Sequence, residues 1–216
     1  QRVSAIRPDD VPALIHLKDL YKATDQHIEL AEALHLLIEA RPEDLTEDRA
    51  GAWADLHADL GRVRATHLHD PEGALSAWRE VASLRSEDVE AFSALGDLYE
   101  ATGEWEACVD ALERKAELLT EPTERVEVIL RAAGLAESPL GQRERALGLY
   151  EHGSQVVSSN QPISEALERL YVEDDEHEKL LDVLLTRIEV VDVTEGKQAL
   201  LWQAAALCEG PLESPE

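Results

Sequence analysis

The sequence predicts an all-α chain, a solenoid of about five antiparallel helix pairs followed by half a pair. Three observations predict it. Shifted by 78 residues, the chain meets itself at Asp10/Asp88, Leu17/Leu95, Tyr21/Tyr99, Thr24/Thr102 and Leu34/Leu112, among others; shifted by 72, Tyr99 falls on Tyr171, Leu112 on Leu184 and Ala132-Ala133 on Ala204-Ala205. Agreement at nearly one spacing in two registers marks an internal repeat. Apolar residues recur at i, i+3, i+4 and i+7 through each period, the spacing of an amphipathic helix. The connections are only two to six residues long, which forces neighbouring helices to pack antiparallel.

The elements follow in order. The first pair, 9–23 and 26–40, carries Leu14, Leu17, Tyr21 and Leu34 and stops before Pro42. The second, 47–68 and 71–85, is divided at Asp70-Pro71, a helix cap followed by proline at the first helical position, and carries Ala74 and Trp78. The third, 87–102 and 104–119, is divided by Gly103. The fourth, 122–137 and 142–157, has the longer turn Glu137–Glu144 and carries Ala133, Gly134, Ala146 and Tyr150. The fifth, 161–173 and 176–191, opens at Asn160, near Pro162, and carries Leu167, Tyr171, Leu180 and Leu184. A last helix spans 194–209. Residues 1–216 are thus expected to form one domain, with repeats at 11–43, 47–86, 87–121, 122–160 and 161–192 and a half repeat at 194–216. Residues 1–8 match 79–86 and residues 204–216 match 132–144, so both ends are expected to fall inside repeats of a longer chain, without capping helices.

The segment Asp88–Leu118 reads DVEAFSALGDLYEATGEWEACVDALERKAEL. Its Phe92, Leu95, Gly96 and Tyr99, then Gly103 and Trp105, then Cys108 and Leu112, resemble the tetratricopeptide (TPR) repeat in residue type and spacing. Gly96 would let two helices approach closely, while Tyr99 and Leu112 fill the space between successive helices. The units from Val11 and Gln161 resemble the repeat more loosely, with Lys18 where the first glycine is expected in the former, and the others more loosely still. HEAT-type and other α-solenoids would also stack helix pairs. The resemblance implies a right-handed superhelix and a fragment of a larger, bacterial TPR protein. The gene composition agrees, with fifteen Arg, five Lys and one Asn.

Charge narrows the function. The chain has 46 acidic and 20 basic residues, a net charge of −26, so phosphate backbones and anionic membranes are repelled and nucleic acid is not an expected partner. No apolar run reaches the length of a membrane span. Cys108 and Cys208 stand outside any metal or redox spacing, and a reducing, cytoplasmic setting fits them.

Motifs that might carry chemistry have plainer readings. His67-Leu68-His69-Asp70 offers two imidazoles and a carboxylate, but at a helix end, so no metal is expected there. Asp174-Asp175-Glu176-His177-Glu178 lacks the glycine and spacing of a calcium loop. His27 and His177 occupy the turn position of Trp105 and read as packing residues, and Cys108 as inert core. Trp53, Trp78, Trp105 and Trp202 have acidic rather than basic neighbours, so they too are assigned to the core. With no phosphate loop and no nucleophile–base pair, neither an enzyme nor a cofactor is expected.

What remains is binding. The resemblance implies a protein-interaction scaffold whose first helices line a concave groove for a peptide, a helix or a partner protein. By position, Asp19, Lys22, Arg62, Asp97, Glu100, Arg131, Arg169 and Glu173 would face that groove, with an acidic bias at Asp97 and Glu100. Only Asn160, in a turn, could serve an Asn/Lys carboxylate clamp, so none is expected. The alternatives are a structural solenoid self-associating through uncapped ends, and the regulatory arm of a larger enzyme.

Overall fold

The computed structural model describes residues 10–40, 47–191 and 194–210. Among them are eleven helices and no strand: α1 Val11–Ala23, α2 His27–Glu39, α3 Glu47–Thr66, α4 Pro71–Leu84, α5 Val89–Thr102, α6 Trp105–Leu118, α7 Pro122–Glu137, α8 Arg143–Val156, α9 Gln161–Glu173, α10 His177–Val190 and α11 Thr194–Glu209. The expected all-α repeat architecture is present. Pro42 and the matches made by residues 1–8 and 211–216 lie outside the described residues.

Helix starts are set by capping. Asp10 accepts from the Ala13 amide (3.2 Å), Asp70 from Gly73 (3.0 Å), Asp88 from Ala91 (3.0 Å) and Asn160 from Ile163 (3.1 Å). Each satisfies an amide that the helix leaves open, which contributes about 1 kcal/mol. Proline follows in the first turns of α1, α4, α7 and α9.

The turn inside three of the pairs is one device used three times. Asp25, Gly103 and Asp175, related by the two shifts, are all left-handed, with φ of 55°, 77° and 56°. The next amide in each, Gln26, Glu104 or Glu176, donates to the carbonyl of Tyr21, Tyr99 or Tyr171 at 2.9–3.0 Å. That bond closes the helix end. A ring then opens the second helix: His27, Trp105 or His177.

Two compact units divide the chain within α6, at Ala111/Leu112. In the first, α1–α5 pack in chain order around Leu14, Tyr21, Leu34, Leu37, Leu60 and Val63. Gly61 of α3 lies against the buried Trp78 of α4, so close that a Cβ there would stand 2.7 Å from the indole nitrogen. In the second unit α7–α11 also pack in chain order, with Val126, Ile129, Ile163, Leu170 and Leu184 buried. Gly153 of α8 fits between Ile163 and Ile129. Burying each such aliphatic side chain stabilises the fold by roughly 1.5–3 kcal/mol.

Candidate protein-binding face

The residues assigned to the repeat core are in place. Tyr21, Leu95, Gly96, Tyr99, Cys108, Leu112, Tyr150, Tyr171 and Leu184 are buried, while Leu17, Phe92 and Trp105 are half-buried. The Cys108 thiol is wholly inaccessible and donates to the Gly96 carbonyl at 3.2 Å, so it bridges α6 to the close-approach glycine of α5. His27 stacks flat on His67, ring centroids 3.5 Å apart and planes within 6°. His69 is the left-handed residue of the turn into α4. Among the described residues no three His, Cys, Asp or Glu side chains converge as a metal site would require.

One assignment needs correction. Of the four tryptophans placed in the core, Trp78 is buried and Trp53 and Trp105 are half-buried, but Trp202 is 78% exposed. The helix α11 buries Leu200 and Ala204 and leaves Trp202 and Leu201 uncovered.

The eight residues proposed for the groove lie on the first helices of their pairs, as their positions in the repeat require: Asp19 and Lys22 on α1, Arg62 on α3, Asp97 and Glu100 on α5, Arg131 on α7, Arg169 and Glu173 on α9. Several are committed to one another or to neighbouring helices. Lys22 reaches Asp59 of α3 at 3.5 Å. Arg62 makes a two-pronged pair with Glu90 of α5, both contacts 2.7 Å, and also meets Asp59 at 3.0 Å. In the second unit Arg169 pairs with Glu137 of α7 at 2.6 Å, and Glu173 with Arg143 of α8 at 2.6 Å. First helices are thus tied edge to edge, α1 to α3 to α5 and α7 to α9. The hydrogen bonds of the Arg62 pair hold the Glu90 carboxyl below its ordinary value and raise the Arg62 guanidinium.

Second helices are tied as well. Arg145 of α8 meets Glu113 of α6 at 2.9 Å, and Lys179 of α10 meets Glu151 of α8 at 3.3 Å. Two tyrosines related by the 72-residue shift carry opposite versions of one contact. The Tyr99 hydroxyl accepts from Arg79 at 2.8 Å, whereas the Tyr171 hydroxyl donates to Glu151 at 2.8 Å. Burial and then the Glu151 carboxylate push Tyr171 upward; burial and then Glu137 do the same to Tyr150.

A cleft of about 280 Å³ opens in the first unit, lined by Lys22 of α1, Asp59, Arg62 and His67 of the α3 region, and His27 and Leu30 of α2. Two groove candidates therefore share one depression, with an apolar floor and the stacked imidazoles at its side.

Capped helix pairs, left-handed intra-pair turns and tied rows of first and second helices within the units define an all-α helical-repeat fold of the kind seen in tetratricopeptide proteins. The solved structures agree at the level of fold. A structure of MamA AMB-1 matches with TM-score 0.52 at 14% identity, over 86% of this chain and 97% of that one. YrrB, described as a TPR protein with an unusual peptide-binding site, matches with TM-score 0.50 at 15% identity, over 92% and 93%. A tetratricopeptide repeat protein from Parabacteroides merdae matches with TM-score 0.50 at 16% identity, over 95% and 80%. No protein-family model and no curated protein matches the sequence.

Proposed function

We propose that the chain is a protein-interaction scaffold that receives a peptide or helix across the α1, α3 and α5 face of its first unit. The cleft between α1 and α3 carries the proposal, because it offers an apolar floor and a charged rim at the place where groove residues were expected from sequence alone. An anchoring side chain enters that cleft, and Asp97 and Glu100 bias the rest of the face toward a partner bearing Lys or Arg. Lys22 and Arg62 pair with Asp59 and Glu90, so these cations act on the face's own helices. The experiment is quantitative affinity capture by the wild-type chain, by Asp97→Lys/Glu100→Lys, and by Thr66→Trp, which fills the cleft from an exposed position on its lining. Partners lost from both variants support the face. Capture that is unchanged in both removes it as the binding surface.

A further inference from the structure

One place in the second unit departs from the repeat. The two shifts taken in succession carry Leu14 through Phe92 to Ser164, Lys18 through Gly96 to Glu168, and Leu37 through Lys115 to Arg187. Leu14 and Leu37 belong to the core of the first unit, and Phe92 is half-buried. Ser164 is buried too, at 5% exposure, but it brings a hydroxyl and much less volume. A small side chain at a place built for a large one leaves space. Here the space is a cavity of about 570 Å³ between α9, α10 and α11. Small residues of α11, Gly196 and Ala199, line its opposite wall, with Gln203 beside them.

This side of α11 is open by design of the repeat. On α7, with α8 packed in place, the equivalents of Gly196, Ala199 and Gln203 are Glu124, Glu127 and Arg131, and all three are exposed. The following helix of a pair therefore leaves this side free.

The cavity wall has a definite chemistry. The Arg187 guanidinium, 18% exposed, pairs with Glu168 and reaches Glu165 at 3.6 Å. The Ser164 hydroxyl donates to the Asn160 carbonyl at 3.1 Å, and the Gln161 amide donates to Glu165 at 2.8 Å. These donors are used within the wall. What they leave over are acceptors, since two carboxylates face one guanidinium and the Ser164 oxygen keeps its lone pairs. Val190 and Leu200 add apolar sides.

We infer that this cavity is a binding site for a basic side chain, a lysine carried on an extended segment of a partner protein. The aliphatic stem lies along Val190 and Leu200, and the ammonium meets Glu168 and the Ser164 oxygen. The volume exceeds one side chain and takes in the backbone around it. An acidic segment is repelled by the surplus carboxylate and by the net charge of −26. The site lies in the second unit and shares no residue with the α1–α3 cleft, so it stands or falls independently of that cleft.

The probe is the capped peptide Ac-Ala-Ala-Lys-Ala-Ala-amide, set against the same peptide with norleucine, which keeps the stem and drops the ammonium. Each is titrated into the full chain while amide NMR spectra follow Ser164, Arg187 and Ala199. The lysine peptide should give saturable shifts at all three. The norleucine peptide should bind about tenfold more weakly, the loss of one charge-assisted contact. Ala199→Trp fills the cavity from an exposed position and should abolish the shifts at Ser164 and Arg187 with the circular dichroism unchanged. Ser164→Phe, which restores the residue of the third pair, should do the same, and Ala199→Trp decides alone if Ser164→Phe fails to fold. No saturable shift in the wild type, or equal shifts in Ala199→Trp, would overturn the site. Equal affinity for the norleucine peptide would overturn its assignment to a basic side chain.

Discussion

Gly61 is the position where a single methyl group tests how tightly the first unit is packed. In Gly61→Ala the new Cβ would stand 2.7, 2.9 and 3.0 Å from Nε1, Cδ1 and Cε2 of Trp78. Trp78 is 3% exposed and has Arg62 across its face at 5.5 Å, so the indole has little room to withdraw. Overpacking of this kind costs about 1–3 kcal/mol. The same substitution removes a helix-interior glycine, which returns about 1 kcal/mol through backbone propensity. Gly51 of the same helix separates the two effects, since its Cβ would meet only the end of Arg85 at an ordinary 3.7 Å. Gly51→Ala should therefore be stabilising by about 1 kcal/mol, and Gly61→Ala destabilising by up to about 2 kcal/mol. Urea unfolding followed by far-ultraviolet circular dichroism measures both, and the gap between them isolates the packing cost. If both variants move the midpoint upward alike, the close α3–α4 approach is refuted.

Other expectations concern turns and titration. Gly103→Ala should lower stability by about 1 kcal/mol, and Asp175→Gly should raise it by a few tenths or more, because both residues are left-handed; opposite shifts of the urea midpoint check this pair. Glu90 has a lowered folded pKa, so its pairing with Arg62 stabilises the fold above the ordinary carboxylate value of 4.5 and is lost as the pH falls through the lowered one. Both side chains are substantially exposed, so the effect should be small and shrink in high salt, and Arg62→Met should flatten the acid limb of stability against pH. Tyr150 and Tyr171 have raised folded pKa values, so their stabilisation is present below 10.0 and lost above it. In an ultraviolet titration Tyr150 and Tyr171 should ionise above 10.0, and Tyr171→Phe should remove one of these late steps.

Helix positions were legible in the sequence because local chemistry sets them. Asp70-Pro71, Gly103 and Asn160 mark boundaries by capping and by φ, and α9 runs over the residues expected of it. The left-handed turns were only partly legible. Gly103 announces itself, whereas Asp25 and Asp175 do so only once the shifts align them with it. The state of the groove residues was not legible. Their helix and their phase follow from the repeat, but the pairing of Lys22 with Asp59 or Arg62 with Glu90 spans 37 and 28 residues and depends on how neighbouring helices are rotated. Nor could Trp202 be placed, since burial belongs to a helix and its cover together, and composition reports only the helix.

The opposed contacts of Tyr99 and Tyr171 have a consequence for how the chain finds its own order. A protein made of similar modules can misassemble by sliding one period, so that a helix docks on the right kind of neighbour in the wrong copy. Here a slip of 72 residues would bring Lys179 to Arg79 in place of Glu151, setting two cations together beneath the same ring. The two phenols look interchangeable in the sequence, yet one sits with a cation and the other with a carboxylate and a lysine, and the charges around them number the modules.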